Sequence, residues 1–268
     1  MKTLTFLLKL FSFLFGGIYL ILVIYTYFNQ INMMFHASKL DKNYTFNFEN
    51  KFEELTITSF DKVNLHGLLF KAEKSKGLIF YLHGNQCGVD SWGNISKIYT
   101  NLGYDIFILD YRGFGKSEGT IESEVQFNTD VTFAYKKLIS RYQENKTIII
   151  GYSIGTGPAT ILASKNNPKA LVLQAPYFSF TDLAAIKVPY MPRFLHKFKF
   201  ETNRYITKIK SPVYLFHGNN DQLISYSNSL LLEKLLKPSD QFFTLQNQGH
   251  VGINENEDFQ KQLKLILE

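Results

Sequence analysis

The chain has a single cysteine, Cys87, in 268 residues. One cysteine excludes an intramolecular disulfide and a cysteine-only zinc site, and it suits cytosol and periplasm equally. Proline is scarce at seven residues and glycine moderate at 17, which excludes collagen-like and low-complexity chains. Charged residues make up only 19% against 45% hydrophobic. That balance excludes a disordered chain and leaves enough apolar side chains for a sizeable core. There is no H-E-x-x-H pair, no phosphate-cradling loop and no internal repeat. Gly113-x-Gly115 is too short for a dinucleotide fingerprint. The chemistry is therefore expected to need neither metal nor cofactor.

Charge is also missing locally. Between Lys9 and Lys39 there is no Asp, Glu, Lys or Arg. Residues 10–28 are the most apolar part, and as a helix they reach roughly 28 Å, close to the ~30 Å hydrocarbon layer of a bilayer. A cleaved signal peptide has a shorter apolar run and a small-residue cleavage site, neither of which is evident before His36. The segment is read as an uncleaved, single-pass signal anchor. Lys2 and Lys9 then stay cytoplasmic and the rest faces the extracytoplasmic side. Residues 1–34 are expected to form anchor and connector, and 35–268 the globular domain, with 29–50 a polar, Asn-rich link.

What is abundant is a rhythm of short apolar runs. Segments 55–60 and 63–71 read as a hairpin turning at Asp61-Lys62. GLIFYL at 77–82, DIFIL at 105–109, TIII at 147–150, ALVL at 170–173, PVYLF at 212–216 and the run 241–245 follow. Helical stretches are expected at about 90–101, 122–141, 155–165, 226–236 and 254–267. Fully apolar strands alternating with helices imply an α/β fold with a mostly parallel sheet buried on both faces. Segment 177–211, with Pro189 and Pro192, interrupts the rhythm and is too long for a simple connection.

In such sheets function collects at the carboxyl ends of the strands. After TIII stands Gly151-Tyr152-Ser153-Ile154-Gly155, a G-x-S-x-G in strand–turn–helix context, which exposes a strained nucleophilic serine above the sheet. A serine hydroxyl needs a base. Of six histidines, His250 follows the last strand in a loop where its ring can reach Ser153. His83 and His217 end strands as His-Gly and read as turn packing. His36 lies beside the apolar segment, His66 inside the hairpin and His196 inside the irregular insertion. The base needs an acid to fix its tautomer. Asp221, after the penultimate strand, is favoured over Asp182, whose ordinary role is a helix cap or an ion pair. The order Ser153, Asp221, His250 is that of α/β-hydrolases. Backbone N–H groups of Ile154 and Asn85 are the expected oxyanion donors, worth about 3 kcal/mol each.

Taken together, YLHGNQCG at 81–88, LDYRGFGKSEG at 109–119, GYSIGTGPA at 151–159, LQAPYFSFTDL at 173–183, SPVYLFHGNNDQLI at 211–224 and QGH at 248–250 resemble the α/β-hydrolases of the Bem46 and ABHD13/ABHD17-like type, related to the serine aminopeptidase-like hydrolases. The resemblance runs from about residue 55 to the end. It implies esterase, thioesterase or lipase-like activity without fixing the substrate, and it treats Arg112 and Gly113 as structural. A small-molecule or lipid-like acyl ester or thioester is the expected substrate, and no nucleic-acid partner is expected. A peptidase on the same triad, or a non-catalytic membrane-tethered protein of this fold, is the alternative. The segment 177–211 then stands where such hydrolases carry a lid. Between Lys187 and Lys210 it holds seven basic residues and one acidic one, Glu201, a balance equal to the +6 of the whole chain. A basic, aromatic lid is expected to be drawn to anionic lipid.

Overall fold

The computed structural model describes residues 2–268. A long helix α1 (Lys2–Met34) precedes the hairpin β1 (Phe52–Thr58) and β2 (Asn64–Phe70). Then come β3 (Leu78–Leu82), α2 (Val89–Trp92), α3 (Ser96–Asn101), β4 (Asp105–Asp110), α4 (Glu124–Ile139), β5 (Thr147–Tyr152) and α5 (Thr156–Ala163). The chain closes with β6 (Ala170–Gln174), α6 (Phe180–Lys187), α7 (Thr202–Ile206), β7 (Val213–Gly218), α8 (Ser227–Glu233), β8 (Gln241–Leu245) and α9 (Glu257–Leu267). The eight strands form one sheet in the order β1-β2-β4-β3-β5-β6-β7-β8. β2 is antiparallel to both its neighbours, and every pairing from β4 to β8 is parallel. This is the α/β-hydrolase architecture, as expected.

The period-2 geometry of a strand divides each apolar run between two cores. Leu78, Phe80 and Leu82 of β3 pack on one face with Phe127, Val131 and Leu138 of α4 and Leu162 of α5. Ile79 and Tyr81 pack on the other with Tyr99 of α3 and Phe259 and Leu263 of α9. That is why β3 to β6 are buried from end to end while the edge strands β1 and β8 are half exposed. Ser123 caps α4 by accepting from Gln126 N, and Asn256 caps α9 by accepting from Phe259 N, which matches the preference for short polar side chains there.

Two regions differ from expectation. The link 29–50 is helical to Met34 and then lies against the body. The Phe35 ring sits among Phe114, Phe127 and Phe198, and the Phe46 ring stacks on His66. Apolar aromatics spaced among polar residues carry this packing, and a composition reading averages them away. Segment 177–211 holds two short α-helices with a 3-10 turn, Arg193–Leu195, between them. Of its apolar residues, Met191, Phe198 and Phe200 are buried, whereas Phe194 is 82% exposed. Two of its cations are paired, Arg193 with Asp182 and Arg204 with Glu201. Arg112, just after β4, is held by Asp130 of α4 and by Asp61 in the turn of the first hairpin, and these hydrogen bonds push its pKa further up.

Candidate active site

β5 runs straight into a tight 3-10 turn, Ser153–Gly155, that leads into α5. The turn has no room for side chains at its two glycines. A Cβ on Gly151 would stand 2.6 Å from the Gly155 carbonyl oxygen, and one on Gly155 would stand 2.1 Å from that of Leu82. Between them Ser153 is held at φ +53°, a left-handed conformation that costs a residue with a Cβ roughly 1–2 kcal/mol. Gly155→Ala is therefore expected to lower stability by about 2–3 kcal/mol, because backbone and not a flexible side chain must give way. Thermal unfolding checks this, and an unchanged Tm would show that the turn is looser than its geometry.

Three loops at the carboxyl ends of β5, β7 and β8 bring the predicted residues together. His250 Nε2 lies 2.9 Å from Ser153 Oγ, and His250 Nδ1 lies 2.7 Å from Asp221 Oδ2. An ionised carboxylate only accepts, so Nδ1 carries the proton and Nε2 is free to accept the serine hydroxyl. Tyr152, inside the G-x-S-x-G motif, donates its hydroxyl to the His250 carbonyl and so ties the two loops. Asp221 is buried. Burial opposes its ionisation, yet hydrogen bonds from His217 and His250, with the Ile224 N–H, hold its carboxyl well below the usual range. Its Oδ1 accepts from the N–H groups of Leu223 and Ile224.

His217, which its His-Gly pattern assigns to turn packing, reaches the site as well. Its Nε2 lies 3.2 Å from Asp221 Oδ2 and 3.0 Å from the Ile224 carbonyl, while Nδ1 lies 2.7 Å from Ser229 Oγ. It shares the Asp221 Oδ2 with His250. The signal was the four-residue spacing to Asp221, masked by the His-Gly turn pattern. Asp182 lies elsewhere, in the first turn of α6, where it accepts from Ser179 Oγ at 2.5 Å and from Arg193. His83 is fully buried against the Tyr111 ring, and burial lowers its pKa. His66 lies between Asp110 and Glu54.

Ser153, Ile154 and Asn85 open on one cavity of about 430 Å³, within the range of ligand pockets. Its walls are mostly apolar, with Phe180, Leu183, Val188, Met191 and Phe198 from the 177–211 segment, and Met33 and Met34 from α1. No Asp or Glu lines it among the described residues, and Lys187 is its one Lys or Arg. His196 also lines it. The ring is buried, neither nitrogen has a hydrogen-bond partner, and burial with the Arg193 cation lowers its pKa.

Comparison with known proteins follows the same lines. Residues 73–207, half of the chain, match the family described as serine aminopeptidase, S33. The match includes Ser153 and ends before Asp221. The lysophosphatidylserine lipase ABHD12 of Danio rerio is 29% identical over 175 residues, 58% of this chain and 46% of that protein. Alpha/beta hydrolase domain-containing protein 17B of Xenopus laevis is 30% identical over 197 residues, 71% of this chain and 66% of that one. The chain thus spans about half the length of the former and about two thirds of the latter. Among solved structures, an esterase of Pyrococcus furiosus superposes with a TM-score of 0.70 at 20% identity, covering 87% of this chain and 97% of its own.

Proposed function

The chain belongs to the serine aminopeptidase (S33) family of α/β-hydrolases, and from that premise we propose that it is a serine esterase cleaving carboxylic esters or thioesters of apolar acyl chains. The observation that carries the reading is the hydrogen-bonded series Ser153–His250–Asp221 opening on an apolar cavity. Ser153 Oγ attacks the acyl carbonyl carbon as its proton passes to His250 Nε2, and Asp221 stabilises the imidazolium that results. The backbone N–H groups of Asn85 and Ile154 hold the oxyanion. The carbon–oxygen or carbon–sulfur bond then breaks, and the proton on His250 leaves with the alcohol or thiol. Water attacks the acyl-enzyme, gives its proton to His250, and the acid departs as Ser153 recovers its hydrogen.

Peptide hydrolysis is the second reading, favoured by the family's description. An aminopeptidase has to recognise a charged amine, for which a carboxylate in the site is the natural partner. The cavity wall offers none among the described residues, and its one Lys or Arg is Lys187. That chemistry suits an acyl chain or an anionic amphiphile better, in keeping with the lipase named among the relatives. A fluorophosphonate probe is expected to label the protein and to miss Ser153→Ala. p-Nitrophenyl esters are expected to outrun aminoacyl p-nitroanilides. Absence of labelling, or faster anilide turnover, overturns the reading.

α1 is long and apolar enough to cross a membrane. The same proposal takes it as an uncleaved anchor with Lys2 and Lys9 on the cytoplasmic side and the hydrolase domain outside.

A further inference from the structure

The membrane helix reaches into the active site. Its buried residues, Val23, Thr26, Gln30 and Met34, form one stripe along the last three turns, the spacing of a single helix face. Two of the four are polar, and polar side chains on a membrane helix are costly unless partnered. Both are partnered by the segment over the cavity. Thr26 Oγ1 lies 2.8 Å from Tyr190 Oη. Gln30 Nε2 donates to the Leu195 carbonyl at 3.1 Å, and Gln30 Oε1 accepts from Lys197 N at 2.9 Å. Thr26, Gln30, Met33 and Met34 line the same cavity as Ser153.

The cavity therefore has a direction relative to the bilayer. Asn85, the expected oxyanion donor, holds the Met34 carbonyl through Nδ2 at 3.1 Å, so the reacting end adjoins the water-side end of α1. From Met34 back to Thr26 the wall runs roughly 12 Å toward the membrane at ~1.5 Å per residue. Around this inner end the surface is built for lipid. Tyr25 and Phe28 of α1 are exposed, as are Ile186 and Phe194 within the 177–211 segment, and Lys197 Nζ stands 4.7 Å from the Tyr27 ring. Aromatic residues with a cation among them are the composition of a membrane interface.

We propose that the last three turns of α1 are a wall of the acyl-binding site, and that substrate enters along them from the leaflet. The substrate class is an amphiphile whose acyl chain stays in the apolar phase while its ester or thioester reaches Ser153 at the surface. An amphiphile in a bilayer already has that polarity, tail inward and ester outward, so it need not leave the membrane to bind. The inference rests on the esterase reading.

The test uses the full chain in detergent micelles and compares palmitoyl with butyryl p-nitrophenyl esters. Met33→Trp, which fills the wall at a half-exposed position, is expected to lower the palmitoyl-to-butyryl ratio of kcat/KM at least tenfold. Met33→Ala is expected to move it severalfold by removing contact with the chain. Leu20→Trp, on the exposed part of the same helix, leaves the ratio where it was. Fluorophosphonate labelling confirms that each variant keeps its site. A ratio unmoved in both Met33 variants, or moved equally by Leu20→Trp, overturns the inference while leaving the esterase reading intact. Absence of ester turnover in the wild-type protein removes both.

Discussion

Ester turnover is expected to fall on the order of 10⁴-fold or more in Ser153→Ala and in His250→Ala, with the fold unchanged. The two losses should not add, because in the proposed mechanism nucleophile and base act as one unit. Asp221→Asn is expected to be nearly as damaging. An amide at Oδ2 turns an acceptor into a donor facing His250 Nδ1, which favours the wrong imidazole tautomer. Asp182→Asn should keep most activity, since its partners are Ser179 and Arg193 and not the histidine. Steady-state kinetics of the four variants decides the matter. Activity lost in Asp182→Asn and kept in Asp221→Asn would reverse the assignment. The Asp221 carboxyl also carries a stability signature. Its pKa is held below the unfolded value, so its contribution is full above about pH 4, the ordinary carboxylate pKa, and fades as the pH falls through the lower native value. Asp221→Asn should accordingly flatten the acid limb of a stability-versus-pH curve.

The parts of this protein that were legible in advance are those in which local chemistry has few solutions. Five apolar residues in a row, as in Leu78–Leu82, are tolerated only where both faces are covered, so the parallel sheet followed from the runs themselves. A serine flanked at two residues by glycines needs little further information, because the turn excludes a Cβ at either position. Which carboxylate faces the histidine is harder to read. Asp221 and Asp182 both follow strands, and what separates them is the company each keeps in space. Asp221 faces two histidines, and Asp182 faces an arginine. His217 is hard to read for the same reason, since what marks it is a contact with Asp221 and not a motif. The lid was read by sum of charge, whereas its structure sorts residues one by one. Phe198 and Phe200 are core, Arg193 and Arg204 are paired, and Phe194 faces out.

The docking of α1 makes the position of a cut decisive, although residue 35 looks like a natural start from sequence alone. A chain beginning there loses Met34, which belongs to the main core beside Phe127 and Phe198. Emptying a site of that kind costs about 2–5 kcal/mol. It also loses Gln30, which leaves the Leu195 carbonyl and the Lys197 N–H without their partner, and it strips one wall from the cavity that Ser153 shares with α1. A chain beginning near residue 22 keeps the whole buried stripe from Val23 to Met34. What it gives up is the stretch before it, which includes most of the apolar run that begins at residue 10 and touches little of the body. The shorter cut should therefore leave carbonate-resistant membranes and retain Tm and palmitoyl-ester hydrolysis in detergent. The longer cut should unfold at a Tm lower by several degrees or more, with long-chain hydrolysis reduced at least tenfold. Equal Tm and equal long-chain activity for the two cuts would show that α1 is a tether and nothing else. Both proteins remaining in the membrane after carbonate extraction would show that the anchoring surface lies in the hydrolase domain itself.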